Sequence, residues 1–522
     1  MIVGDLLRRG VKVFSDRVAI HYKDRALSYA ELNERVNRLA NSMLEMGIQK
    51  GDNIAILSSN SNAYLEVILA GGKIGAATVT LNARLKGDEL TYIINNSDAK
   101  ALYTTPVFLE LIGTISEELP LIEHYICIGE SDSAYKDVYQ DYEKLLAEGS
   151  PEEPASSVVE SDVLCLLYTS GTTGLPKGVM LTHRNILANC TAVIWEHNYR
   201  TGDKYLMPVP LFHNGGLIPS ISSLMAGSEL VIHESFNPSE VLRSLVEDEI
   251  THAALVVAMI HFVMSVPGVE NHKFEKLRYI IYGGSPISSD LLKRAVNVFG
   301  CDFIQGYGLT EATSFASLLR PADHNTRGTP EQLKKLFSAG KEMLGIEVSV
   351  INEQGKEVNP GEMGEVVVRG ATVMAGYWKM PQETEQALRD GMIYSGDIGT
   401  VDEEGYIYIM ERKNDMIISG GENIYPREIE EVLSTHPAVA DVAVIGVPDP
   451  AWGESVKALI IVKEGKEVTE QEIIDFCASK MAGYKKPKSV EFRTELPRNP
   501  AGKVLKRILR EPYWGEQKRS VS

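Results

Sequence analysis

Tyr168-Thr-Ser-Gly-Thr-Thr-Gly-Leu-Pro-Lys-Gly178 follows a short apolar run, Val163 to Leu167, and that junction decides how the chain is read. The run has the length and bounding residues of a buried strand. Behind it, Thr169, Ser170, Thr172 and Thr173 bring four hydroxyls, Gly171, Gly174 and Gly178 bring three glycines, and Lys177 brings one cation. Glycines let several backbone N–H groups converge on one anion. The hydroxyls add neutral donors, and the lysine adds positive charge on a long stem. This chemistry suits a polyphosphate; a Gly/Thr surface turn is the competing reading. A P-loop is disfavoured, because that motif needs Gly-Lys followed at once by Ser or Thr at a helix start. Here Leu175 and Pro176 separate Gly174 from Lys177, and a glycine follows the lysine.

The surrounding chain is large enough for several cores. Its 522 residues predict two or more domains, and 44% apolar residues are ample to fill them. A formal charge of −19 disfavours nucleic acid or an anionic membrane surface as bulk partners. Sites for anionic ligands must then be local positive exceptions, with Lys485, Lys486 and the 503–510 region as candidates, while Lys488 reads as an ordinary solvated lysine. Cys127, Cys165, Cys190, Cys301 and Cys477 are odd in number and scattered, so neither a disulfide framework nor a zinc site is indicated. Without a long apolar segment near Met1 or elsewhere, a cytoplasmic protein with no membrane span is expected.

Helix and strand signals alternate through most of the sequence, which predicts α/β layers. Ser28 and Glu31 have capping-box spacing, and Leu32, Val36, Leu39 and Met43 follow at helical intervals before Gly47. Strands are expected at 53–57, 254–258, 279–282 and 405–410, and the Glu/Pro-rich 148–154 segment reads as a surface connection. Beyond Arg412 the pattern changes to an independent α+β stretch. Pro426 suits the first turn of a helix that carries Ile429, Val432 and Leu433 on one face, and strands are predicted at 442–447 and 458–462.

The opening string resembles the signature of the adenylate-forming superfamily. So do Gln305-Gly-Tyr-Gly-Leu-Thr-Glu311, Tyr394-Ser-Gly-Asp397, Arg412-Lys-Asn-Asp-Met-Ile-Ile-Ser-Gly-Gly-Glu-Asn423 and Pro497-Arg-Asn-Pro-Ala-Gly-Lys503, in family order. The resemblance, from about Leu27 to Arg507, implies an AMP-forming carboxylic acid–CoA ligase. It implies a large multi-layer N-terminal domain (1–411) and a small mobile α+β lid (412–522) with its hinge near Asn414. Thr169, Ser170, Gly171, Thr172, Thr173, Gly174 and Lys177 would hold the ATP phosphates. Glu311 would hold Mg²⁺, and Thr310 would touch phosphate oxygens. Gly284, Ser285, Gln305, Gly306, Tyr307 and Gly308 would form the adenine slot, with Asp397 and Arg412 at ribose. Lys503 would be the chief catalytic residue, offsetting charge at the reacting carboxylate and α-phosphate. Read without the family, Glu311 is a solvated acid, Asp397 a turn residue and Tyr307 plain core.

For CoA, the resemblance implies Ser419, Gly420, Gly421 and Glu422 along the pantetheine, with Trp452, Tyr484, Lys486 and Arg84 near the nucleotide end. His213, Asn214, Gly215, Gly283, Gly308, Thr313 and Ser314 would line the acid pocket, where Gly215, Gly216 and Gly308 leave room for an apolar substrate. His213 by itself equally suits a packed core group. Two positions depart from the pattern: Asn414 replaces the usual hinge Asp or Lys, and Glu411 replaces a common glycine. The expected partners are a carboxylate, ATP and CoA, with a homodimer left open. A medium- or long-chain fatty acid is the leading substrate, with alicyclic and aryl acids as alternatives. Loading of a carrier protein, a luciferase-like oxygenase and a non-enzymatic relative are the competing classes; the presence of Lys503, Glu311 and Asp397 argues against the last.

Overall fold

The computed structural model describes residues 1–130, 137–169, 175–284, 287, 289–412, 415–419, 422–449, 452–481, 483, 485–498 and 504–514. Among these residues the large N-terminal domain contains three sheets. One has eight strands and includes Asn53–Leu57, Ala77–Thr80, Val163–Thr169, Lys177–Thr182 and Gly376–Tyr377. A nine-stranded sheet is parallel through His252–Ala254, Tyr279–Gly283 and Asp302–Gly308, then turns antiparallel at Phe315–Leu319. A smaller antiparallel sheet joins Ile346–Ile351, Met363–Gly370, Met392–Val401 and Ile407–Arg412. The smaller C-terminal domain has its own sheet, with Val439–Asp449 paired along Gly453–Val462 and Ile417–Ser419 beside it. Its core of Ile417, Ile429, Leu433, Val444 and Ile460 is separate from that of the large domain.

The helix predicted from Ser28 runs Tyr29–Glu45; Ser28 accepts from the Glu31 N–H and the Glu31 carboxylate returns to the Ser28 N–H at 2.8 Å. Leu32, Val36, Leu39 and Met43 are fully buried along it. The helix Pro426–Ser434 begins at Pro426 as expected. One expectation fails: the strand predicted at 254–258 is His252–Ala254 followed by the helix Val257–Met264. An apolar run of that length does not distinguish strand from buried helix, and pairing with Tyr279–Gly283 ends at Ala254. The strand expected at 405–410 is shifted to Ile407–Arg412, because Gly405 adopts a positive φ and turns the chain back towards Asp402.

Helix Asn62–Ile74 is buried along its whole length, including Glu66. A carboxylate in that position has to be fully partnered. Arg35 donates Nε and Nη2 at 2.8 and 3.0 Å, the Tyr142 hydroxyl donates at 2.6 Å and Asn62 Nδ2 at 2.7 Å. This one acid therefore ties Tyr29–Glu45 and Tyr142–Glu148 to the central helix. Glu66→Ala is expected to destabilise the large domain by about 3 kcal/mol, since it leaves the half-buried Arg35 with Glu143 alone and orphans the buried Tyr142 hydroxyl and Asn62 amide. Urea unfolding followed by tryptophan fluorescence measures this, and a midpoint unchanged from wild type would contradict it.

Candidate functional site

The polar loop joins two antiparallel strands, with Thr169 opposite Lys177 and Tyr168 opposite Gly178. A P-loop runs from strand into helix, so this hairpin is a different device. Ser170, Gly171, Thr172, Thr173 and Gly174 lie outside the described residues. Gly376–Tyr377 adds an edge strand beside Lys177–Thr182, pairing Tyr377 with Val179. Trp378 N–H donates to the Gly178 carbonyl at 2.7 Å, which pins the base of the hairpin. The Lys177 ammonium lies 5.1 Å from the Tyr377 ring centroid, and the Tyr377 hydroxyl donates to Glu311 Oε1 at 2.8 Å. A cation, an aromatic ring and a carboxylate are thus set in line at the mouth of the loop. Tyr377 was not singled out from the sequence, because the pairing that brings it there spans some two hundred residues.

Glu311 sits in the 3₁₀ turn Thr310–Ala312, and its carbonyl accepts from Met374 N–H at 2.9 Å. Thr313 then takes φ 73°, unusual for a β-branched residue, and is fully buried. Two bonds hold it there: its hydroxyl donates to the Thr372 carbonyl at 2.6 Å, and Asn214 Nδ2 donates to its carbonyl at 2.8 Å. Asn214 begins the helix Asn214–Ala226, which His213 caps by accepting the Gly215 N–H at 3.0 Å. Thr310, Glu311, Thr313, Asn214, Gly215 and His213 are therefore brought together, with Ser314 buried beside them. Surrounding protein pushes the His213 imidazole below its ordinary pKa by desolvation, although the residue as a whole is solvent-accessible.

Asp397 is buried and paired in register with Arg412 across neighbouring strands. Tyr307 donates its hydroxyl to Asp397 Oδ2 at 2.8 Å, so Tyr307 is more than plain core. The buried Gln305 Oε1 has no hydrogen-bond partner among the described residues. Gly284 has φ 79°, which favours glycine on backbone grounds, and Ser285 lies outside the described residues. Two other glycines are fixed by close approaches. A Cβ on Gly308 would lie 1.8 Å from the Ser314 carbonyl oxygen, and one on Gly216 2.3 Å from that of Pro210. On that side both are packed against the protein's own backbone, while Gly308 stays exposed. Likewise the ring laid on Gly306 and Gly283 is Phe315, at 2.2 and 3.3 Å from the positions their Cβ atoms would occupy.

In the C-terminal domain, Ser419 pairs with Glu422 and with Gly453, next to the exposed Trp452. Lys488 is exposed, and its ammonium lies 4.8 Å from the Trp452 ring centroid and 3.9 Å from Asp449. Lys486 is half-buried, while Arg84 is exposed on the large domain in the turn after Ala77–Thr80. Asn414, Gly420, Gly421, Tyr484 and Lys503 lie outside the described residues, and Arg412 and Glu422 are placed by their backbone. No group of three or more His, Cys, Asp or Glu side chains suited to a metal occurs among the described residues.

Residues 7–378 match the model of the AMP-binding enzyme family, and residues 428–503 match that of the AMP-binding enzyme C-terminal domain. A fatty acid–[acyl-carrier-protein] ligase of Streptomyces coeruleorubidus is 36% identical over 97% of this chain and 95% of its own. A feruloyl-CoA synthase of an Amycolatopsis species is 38% identical over 97% and 98%. Among solved structures, a Mycobacterium tuberculosis fatty acyl CoA synthetase superposes with a TM-score of 0.79 at 34% identity, covering 98% of each chain.

His213 is expected to titrate below the ordinary histidine range, so that it stays mostly neutral at pH 6.5, where a free imidazole is about half protonated. Carbon-labelled histidine NMR, with His213→Gln to assign the signal, measures this. A midpoint at or above 6.5 would contradict the crowding described here.

Proposed function

The chain belongs to the AMP-binding enzyme family and is an ATP-dependent, AMP-forming acid–CoA ligase, and we propose that it activates a medium- or long-chain fatty acid. In the first step a carboxylate oxygen attacks the α-phosphorus, and the bond to pyrophosphate breaks. In the second the CoA sulfur attacks the acyl carbon, its proton leaves to solvent or base, and AMP departs. Neither step needs a nucleophile from the protein. The protein's work is alignment and charge neutralisation.

The observation that carries this reading is the line from Lys177 through Tyr377 to Glu311 at the hairpin mouth. In this reading the Thr169–Lys177 loop surrounds the β- and γ-phosphates, with Thr310 at their oxygens. Asp397, aligned by Tyr307, accepts from the ribose hydroxyls near Arg412. Adenine lies along Gly284, Ser285, Gln305 and Gly306. Magnesium belongs to the same reading. A lone carboxylate with one oxygen engaged by Tyr377 fits an ion that takes most of its ligands from phosphate and water. Bound there, it would neutralise triphosphate charge. Lys503 is assigned to the developing charge at the carboxylate and α-phosphate, on its sequence motif.

We place the working boundary at 411/412, with rotation near Asn414. Arg427 of the small domain donates to the Ile409 carbonyl at 2.6 Å, a bond that crosses this boundary and supports a defined resting arrangement. The partners in this reading are the carboxylate, ATP and CoA; a second copy of the chain is admitted but not required. A cytoplasmic setting accords with five free cysteines, four of them buried. Among the described residues no helix is long and apolar enough to cross a membrane. The carrier-protein ligase relative favours a second reading, in which the acceptor thiol is carried on a protein.

Pyrophosphate release across a carboxylate panel, with CoA present or omitted and products identified by mass, tests the proposal. Acyl-AMP that never becomes acyl-CoA would overturn it in favour of the second reading. Lys503→Ala should lower acid-dependent pyrophosphate release by about a hundredfold or more while sparing thioester formation from supplied acyl-adenylate. Equal loss of both half-reactions would contradict that role. Tyr377→Phe keeps the ring under Lys177 and removes the bond to Glu311. It should raise KM for ATP by about tenfold and increase the magnesium needed for half-maximal rate; unchanged magnesium dependence would remove Glu311 from the metal role.

A further inference from the structure

The helix Gly87–Asn96 ends against the polar hairpin, and its last turn touches both the hairpin and the strand at its edge. Asn96 Oδ1 accepts from the Tyr168 hydroxyl at 2.6 Å, and the Asn96 carbonyl accepts from Trp378 Nε1 at 3.0 Å. One turn earlier, the Tyr92 hydroxyl donates to the Pro176 carbonyl at 3.3 Å. Each contact falls on the immediate chain neighbour of a residue at the hairpin mouth. Tyr168 precedes Thr169, Pro176 precedes Lys177, and Trp378 follows Tyr377.

The helix end is itself held fast. Leu90, Ile93 and Ile94 bury one of its faces. Buried Asn53 donates Nδ2 to the Ser97 carbonyl at 2.6 Å, which fastens the following turn to the strand Asn53–Leu57. Lys379 Nζ donates to Asp98 Oδ1 at 2.7 Å. The Tyr168 ring lies across a glycine on its way to Asn96: a Cβ on Gly178, its partner on the returning strand, would sit 2.9 Å from the ring. Burial pushes the Tyr168 hydroxyl up, with Tyr92 and Asp98 adding to the shift, so it stays protonated and donates. Asn96 thus ties the outgoing strand, through Tyr168, and the edge strand, through Trp378, to one anchored turn. Donors held at the right spacing beforehand bind an anion more tightly, because less ordering remains to be done on binding.

We infer that Asn96 is a positioning residue for the phosphate-binding hairpin, setting through Tyr168 and Trp378 where Thr169 and Lys177 meet the β- and γ-phosphates of ATP. The inference rests on the phosphate reading of the hairpin above and deepens it. AMP supplies the contrast, since it shares adenine, ribose and α-phosphate with ATP but lacks the other two phosphates. Dissociation constants of MgATP and of AMP are measured by isothermal titration calorimetry on the full chain without added acid, with circular dichroism to check folding.

Asn96→Ala, and separately Tyr168→Phe, should weaken MgATP binding by about tenfold and leave AMP within about twofold. The double variant should bind MgATP no more weakly than either single one, because both remove the same bond. Asn96→Asp keeps the acceptor and should bind MgATP within about threefold of wild type. Tyr168→Phe keeps the ring on Gly178, so it carries the test should Asn96→Ala fail to fold. Equal weakening of MgATP and AMP would mark a fold-wide role and overturn the inference, as would unchanged MgATP binding. Lys177→Ala separates this from failure of the phosphate reading. If Lys177→Ala weakens MgATP while the Asn96 and Tyr168 variants do not, the inference falls alone. If Lys177→Ala also leaves MgATP binding unchanged, the hairpin does not hold the phosphates and both fall.

Discussion

Antiparallel pairing between Val163–Thr169 and Lys177–Thr182 is the constraint on which the rest depends. Because the loop closes a hairpin instead of opening a helix, its cation must come from the returning strand, and its anchorage from whatever pairs with that strand's free edge. Gly376–Tyr377 takes that edge, and Tyr377 meets Lys177 on one side and Glu311 on the other. Thr169 and Lys177 thus come from one sheet, while the Glu311 carboxylate comes from a turn that follows the other. The cluster of Lys177, Tyr377 and Glu311 is assembled from three segments far apart in the chain.

Much of this was legible in the sequence, and for identifiable reasons. The capping box at Ser28 and Glu31, the proline at the first turn of Pro426–Ser434 and the strand at Asn53–Leu57 are all local signals, and local physics sufficed for them. Glu311, Asp397 and His213 were legible by family motif and are held in place by bonds from Tyr377, Tyr307 and Gly215. Tyr377 was not legible in the same way. Its place beside Lys177 and Glu311 comes from pairing between segments far apart in the chain, where neither periodicity nor composition leaves a trace. The reading of 254–258 as a strand failed because a short apolar run fits both periods.

The glycines teach a narrower lesson. Small residues near a proposed pocket suggested space for a ligand, yet on the side a Cβ would take, Gly216, Gly308 and Gly306 meet the protein's own atoms. A glycine marks a close approach, and what approaches can equally be a carbonyl of the same chain. Charge gives a parallel case. Asn414, where the sequence motif leads one to expect a charged hinge residue, is uncharged, while nearby Arg427 supplies a directed hydrogen bond to the Ile409 carbonyl.

Thr313 is held in a left-handed conformation by Thr372 and Asn214, two residues from Glu311. A backbone locked in a costly shape transmits displacement instead of absorbing it. Displacing the start of the helix at Asn214 therefore tugs on the turn that carries Glu311, and the pull runs both ways.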